Sequence, residues 1–212
     1  MRRALSGYSI YVFDVDGTLY DQPKLRTIMA IRLMMHYLLH PFSAKELFAL
    51  SHFRKVKDGW TENSSEDDII KKTAEDMNMP ADKVKSTVRK WIYDEPLLVI
   101  SRTKDTKLIT WMNKLRADGK KVVTLSDYPS EDKLEALGVT ADRQYSPDDE
   151  RIDELKPSPK GLKVIMEDYS ADPAEVLMIG DRMEKDGKCA EGASVDFLIL
   201  ERKVSRRKSY EE

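Results

Sequence analysis

The hydrophobic positions fall into two textures. Tyr8 to Phe13 is a short β-prone run that stops at an Asp-x-Asp-Gly turn. Such a run predicts a buried strand feeding a loop. From 21 to 96 no strand pattern stands out and the spacing is helical. Ile28, Ile31, Met35 and Leu38 recur at intervals of three and four, one apolar face of a helix that stops before Pro41. Met29, Met34 and Met35 read as flexible core packing. Ser43 with Glu46 makes a capping box for a second helix, which runs to about Lys57 and stops near Gly59. Ser65 with Asp68 opens a third over about 66–78. Pro80 opens a fourth that ends by Glu95, just before Pro96.

From residue 104 helices and strands alternate. Leu108, Trp111, Met112 and Leu115 line one face of a helix over 104–118, closed by Gly119. Val122 to Leu125 is a short apolar strand ending in Ser126-Asp127, followed by a helix over 130–137 closed by Gly138. A helix over 158–168, a strand from Val176 to Ile179, a helix over 184–192 and a strand from Val195 to Leu200 complete the pattern. Strands separated by helices predict parallel crossovers and an open α/β sheet. Ligands of such sheets bind at the carboxyl ends of the strands, and there the polar residues Asp14, Asp16, Ser126 and Asp181 fall. Residues 201–212 are charged and predicted to fray.

Composition narrows the class. The chain has 212 residues, enough for one to two domains. Lys+Arg is 36 and Asp+Glu 38, a net charge of −2, so no basic excess points to nucleic acid. No apolar run approaches the ~20 residues of a membrane span. The basic start meets aspartates too soon for a signal peptide. The single cysteine, Cys189, allows no disulfide within the chain, reads as an inert buried thiol, and suits a reducing, cytoplasmic setting.

Two acidic loops carry the chemistry. Asp14 and Asp16 are two apart after a buried strand and would repel each other without a cation; a hard divalent ion such as Mg²⁺ relieves this. Gly17 permits a tight turn whose following amides can face an anion. An acidic turn capping a helix would look the same in isolation. Asp181 and Asp186 are five apart after another strand, so that one can ligate a metal and the other hold a water. Ser126 offers a hydroxyl at a strand end. Lys156, before Pro157 and a helix opened by Pro159, can neutralise a phosphate. His36 and His40 stand four apart, but with His52 the only other histidine a zinc site is not expected.

In this order, Asp-x-Asp-Gly-Thr-Leu, a strand-end serine, Lys-Pro-x-Pro and Gly-Asp-x-x-x-x-Asp resemble the haloacid dehalogenase-like hydrolases. The resemblance covers about 8–20 and 97–200. It implies a Rossmann-like parallel sheet core over 1–20 and 97–212, with an all-helical cap domain inserted at 21–96. It implies Asp14 as the nucleophile that takes the phosphoryl group, and Asp16 as general acid and then base. Ser126, Asp127, Lys156, Gly17 and Thr18 would bind the phosphate. Asp14, Asp16 through its backbone carbonyl, Asp181 and Asp186 would hold Mg²⁺. The family's dehalogenases lack a carboxylate at the position of Asp16, and its ion-pumping ATPases have Lys-Thr where this chain has Val15-Asp16, so neither activity is expected. Asp127 stands where many relatives carry Asn, and its side chain is expected to point away from the phosphate.

The expected activity is Mg²⁺-dependent hydrolysis of a small phosphorylated metabolite by a cytoplasmic monomer or homodimer, with no nucleic-acid or membrane partner. A sugar phosphomutase, a phosphonate hydrolase using a cap lysine, and a non-catalytic binding protein remain as alternatives. Within the basic, aromatic stretch 52–60, Arg54, Lys57 and Trp60 are candidates for substrate specificity, against the simpler reading of a solvated helix end.

Overall fold

The computed structural model describes residues 5–59, 66–207 and Tyr210. The chain divides into two compact units, Met1–Lys24 with Ile100–Glu212, and Leu25–Val99. In chain order the elements run β1 (Ile10–Phe13), α1 (Gln22–Leu39), α2 (Ala44–Gly59), α3 (Glu66–Met77), α4 (Ala81–Val88) and α5 (Glu95–Ile100). There follow α6 (Thr106–Ala117), β2 (Lys121–Leu125), α7 (Glu131–Leu137), β3 (Arg143–Tyr145), α8 (Lys160–Tyr169), β4 (Val176–Gly180), α9 (Lys188–Gly192) and β5 (Asp196–Ile199).

The first unit is an α/β structure on a five-stranded parallel sheet of order β3-β2-β1-β4-β5. Helices cover both faces, so the central strands are buried on both sides and read as unbroken apolar runs. All residues of β1 and β4 are buried. Val12, Val123, Met178, Leu162 and Ile165 meet in one cluster. Tyr11 and Phe13 meet the Trp111 ring edge to face at 5.7 and 5.8 Å. The chain leaves β1 toward β2 and β3 on one side and returns to β4 and β5 on the other. This reversal of strand order opens a crevice at the carboxyl ends of β1, β2 and β4. Phe13, Thr124 and Ile179 lie level across it, so the loops that follow them converge.

β3 is absent from the sequence expectation. Arg143, Gln144 and Tyr145 show neither alternation nor an apolar run; they form a strand because β2 offers a free edge, with Leu125 level with Tyr145. The charged tail also departs from expectation, since Arg207 and Tyr210 are buried.

The helical unit packs around Phe53, Ile70, Val84, Val88 and Trp91. The helical spacing of α1 is present, but its predicted face is not the packed one. Ile31, Met34, Met35 and Leu38 are exposed, while Met29 and Leu33 meet the cluster and Tyr37 is buried. Two apolar rows run along this helix, and periodicity alone does not say which one meets a neighbour. The fourth helix also runs further than expected. After α4 a π-helical stretch, Arg89–Asp94, leads directly into α5. The wide turn starts the helix anew, and Pro96 stands in the resulting first turn, where its missing N–H is tolerated. No described helix is long and apolar enough to cross a membrane.

Candidate active site

Asp14 is the first residue after β1. Its amide donates to the Ile179 carbonyl at 2.8 Å, which ties the loop to β4. Its buried carboxylate is held from two sides: the Thr18 hydroxyl donates to Oδ2 at 2.8 Å and Lys156 Nζ to Oδ1 at 2.5 Å. Lys156 Nζ also reaches Asp186 Oδ1 at 2.7 Å and the Leu125 carbonyl at 3.2 Å. Burial pushes the Asp14 carboxyl up to about 6, against the opposing pull of the Lys156 charge. Burial works against the lysine's charge too, but Asp14, Asp186 and Asp127 together hold it above the ordinary lysine range.

The loop after β4 brings two more carboxylates. A π-helical turn, Met183–Gly187, aims Asp186 back at the sheet, where its Oδ2 accepts from the Arg182 amide at 3.0 Å. Glycine is required at the strand end, because a Cβ on Gly180 would lie 2.3 Å from the Asp186 carboxyl carbon. Gly17, with φ +96°, lies against Asp181; a Cβ there would meet Oδ2 at 2.6 Å. Among the described residues, Asp14, Asp181 and Asp186 form one group in which an oxygen from each lies within 4.8 Å of the others. Asp181 Oδ1 is buried and has no hydrogen-bond partner among the described residues. Burial and the Asp186 charge raise the Asp181 carboxyl. Three buried carboxylates, two of them sharing Lys156 and the third with an oxygen left over, fit a hard divalent cation such as Mg²⁺.

Asp16 stands apart from that group. Its carboxylate accepts from Lys133 Nζ at 2.7 and 2.8 Å, through both oxygens, and from the Tyr20 hydroxyl at 2.7 Å. Sequence reasoning missed both partners. Lys133 reads as one more solvated lysine of a short helix, and Tyr20 as the end of an apolar motif. Nothing in a single sequence marks either.

The other candidates are placed as follows. Ser126 is buried, its amide donating to the Tyr145 carbonyl at 3.0 Å. The Asp127 carboxylate turns to the lysine loop, accepting from the Lys156 amide at 2.9 Å and Lys185 Nζ at 2.6 Å. The amides after Gly17 do not face outward as an anion cradle: those of Thr18 and Leu19 donate to the Val15 carbonyl at 3.3 and 3.1 Å. Thr18 reaches the site through its hydroxyl instead. Arg54 is exposed on α2, whereas the Lys57 side chain and Trp60 lie outside the described residues. The His36 and His40 rings stack at 4.5 Å. Cys189 is buried and donates to the Ser158 carbonyl, and burial pushes its thiol up to about 12.

No curated protein matches the sequence. Solved structures share its fold at low identity. The 2-haloacid dehalogenase of Pseudomonas syringae pv. Tomato DC3000 is 14% identical, with a TM-score of 0.66 over 91% of this chain and 86% of that one. YfnB of Bacillus subtilis, described as a HAD-hydrolase and bound to magnesium, is 14% identical with a TM-score of 0.60 over 91% and 88%. A predicted phosphoglycolate phosphatase from Haemophilus somnus 129pt is 16% identical with a TM-score of 0.55 over 97% and 89%. The family profile of the haloacid dehalogenase-like hydrolases spans residues 8–193, which takes in all four acidic, serine and lysine loops of the crevice, and the chain belongs to that family of hydrolases.

Proposed function

We propose that this hydrolase is a Mg²⁺-dependent phosphatase acting on a small phosphorylated metabolite. The observation that carries the reading is the setting of Asp14. One carboxylate oxygen is steadied by Thr18 and the other by a buried ammonium, beside two further buried carboxylates and two residues before a second acid. Asp16 argues against a dehalogenase, since the resemblance places no carboxylate at that position in those enzymes.

In this reading an Asp14 oxygen attacks phosphorus, forming an aspartyl phosphate as the P–O bond to the leaving group breaks. Asp16 gives its proton to the departing oxygen and then takes one from the water that attacks the same phosphorus. The second displacement frees orthophosphate and restores Asp14. Lys156 and the Ser126 hydroxyl hold phosphoryl oxygens. Lys133 and Tyr20 hold the Asp16 carboxylate in place between its two proton transfers. Asp14, Asp181, Asp186 and the Asp16 backbone carbonyl would hold Mg²⁺, which when bound neutralises charge on the phosphoryl oxygens. Arg54, Lys57 and Trp60 would select the substrate. The protein works in the cytoplasm as a monomer or homodimer, without a nucleic-acid or membrane partner.

A screen of sugar phosphates, nucleotides and phosphoglycolate with Mg²⁺, read as free phosphate, tests the proposal. Phosphate release from at least one ester, absent in Asp14→Asn, supports it. Isomerisation of a sugar phosphate without phosphate release would move the assignment to a mutase. Binding of these esters without turnover would make the protein a non-catalytic binder.

A further inference from the structure

The tail that the sequence marks as frayed supplies a buried, multiply bonded cation to the first unit. Arg207 is 8% exposed. Its Nη2 donates to the Gly17 carbonyl and its Nη1 to the Thr18 carbonyl, both at 2.6 Å. Nη1 also reaches Asp105 Oδ2 at 3.1 Å, and Nε the Glu201 carbonyl at 2.6 Å. Asp105 caps α6, accepting the Leu108 amide at 3.0 Å on its other oxygen, and Tyr210 donates to it at 2.6 Å while its ring stacks on Trp111. The guanidinium therefore joins two successive carbonyls of the nucleophile's own turn to the start of a core helix.

That turn is closed on its other side by the amides of Thr18 and Leu19 on the Val15 carbonyl. Three features of the site hang from it. The Thr18 hydroxyl orients Asp14, Gly17 forms the wall against Asp181, and Asp16 precedes the clamped peptides. A planar fork reaches two neighbouring carbonyls at once, whereas a lysine ammonium is a point charge on a flexible stem. We infer that Arg207 is a positioning residue of the active site: by clamping the carbonyls of Gly17 and Thr18 it fixes the turn that aims Asp14 and Asp16, which makes the tail segment around it part of the catalytic apparatus. The consequence for turnover rests on the phosphatase reading; the clamp itself does not.

Two measurements on the full chain separate these. Amide hydrogen exchange is compared between wild type, Arg207→Lys and Tyr210→Phe. The clamp predicts exchange at Thr18 and Leu19 about tenfold or more faster in Arg207→Lys, with the amides of β2 and β4 unchanged, and a smaller local effect in Tyr210→Phe. Steady-state hydrolysis of p-nitrophenyl phosphate with Mg²⁺ should show kcat lower by about ten- to a hundredfold in Arg207→Lys, with KM within about twofold, because a misaimed turn costs the reacting geometry. Unchanged exchange at both amides, equal acceleration across the whole sheet, or an unchanged kcat in an active wild type would each overturn the positioning role. If wild type turns over no phosphate ester while local exchange still rises in the variant, the clamp stands and the phosphatase reading falls.

Discussion

Lys156 and Asp14 meet at 2.5 Å, Nζ to Oδ1, with both side chains buried at the carboxyl end of β1. They lie 142 positions apart in sequence. The same nitrogen holds Asp186, so one lysine is the shared counter-charge of two of the three clustered acids, while Asp181 faces Arg202 at 3.6 Å. Removing Lys156 leaves Asp14 and Asp186 buried without the cation they share, and breaking a buried pair in this way typically costs about 3–5 kcal/mol. Lys156→Met should therefore lower metal-free stability by that order in urea denaturation. Mg²⁺ should restore part of the loss, because it brings charge to the same place. A stability equal to wild type would show that the cluster does not rely on the lysine.

Asp14→Asn should abolish turnover and leave the fold intact. Its effect on stability should depend on pH in a direction fixed by burial. Asp14 has an ordinary carboxyl value of 3.8, raised to about 6 in the folded chain. The folded chain thus holds this proton more tightly than the unfolded one. The corresponding stability is fully present below 3.8 and is lost as the pH rises through about 6. Without metal, wild type should lose about 2–3 kcal/mol relative to Asp14→Asn across that window. Parallel stability curves for the two proteins, measured by denaturation from pH 4 to 7, would contradict this.

Metal removal gives a third test. The unpartnered Asp181 oxygen and its two neighbours imply that EDTA abolishes phosphate release and that Mg²⁺ restores it. Ca²⁺ should inhibit, since its larger and looser oxygen shell competes for the Asp14 oxygens needed in attack. Full activity in EDTA would remove the cation from the reading. The melting temperature offers a second readout: Mg²⁺ should raise it in wild type and barely move it in Asp181→Asn.

Lys133 should matter according to what leaves. It grips both oxygens of Asp16, and Asp16 is assigned the proton for the departing oxygen. Lys133→Met should lower kcat for an alkyl phosphate, whose leaving group needs that proton, by about 10²-fold or less. With p-nitrophenyl phosphate the first step needs no such help, so an initial burst of nitrophenol should persist while the steady rate falls. Equal losses in burst and steady rate would assign Lys133 to phosphate binding instead.

The two halves of the site differed in how legible they were. Asp14, Asp181, Asp186 and Lys156 could be read because each follows or faces a strand end, and strand ends are marked by apolar runs breaking into polar loops. The partners that hold them could not. Lys133, Tyr20 and Arg207 carry no local pattern; a lysine on a short helix or an arginine in a charged tail reads as solvated surface. Arg207 belongs to a segment whose composition predicts fraying, and it is buried only because Asp105 and two backbone carbonyls wait for it.

By itself the sequence determined the parallel α/β class, the helical character of the inserted stretch and the strand ends from which Asp14, Asp181, Asp186 and Lys156 come together. Those properties follow from hydrophobic periodicity and from short-range turn and cap preferences, which act over a few residues. Tertiary structure decided the rest. β3 exists because β2 offers hydrogen bonds that Arg143–Tyr145 accept despite a weak pattern. The exposed row of α1 lost to the row of Met29 and Leu33 because the packing partner, not the periodicity, selects the buried side. Asp16 parted from the other three acids because Lys133 and Tyr20 reach it, while Lys156 crosses the sheet to reach Asp14 and Asp186. Such contacts are settled by distance in space, and no local preference along the chain records them.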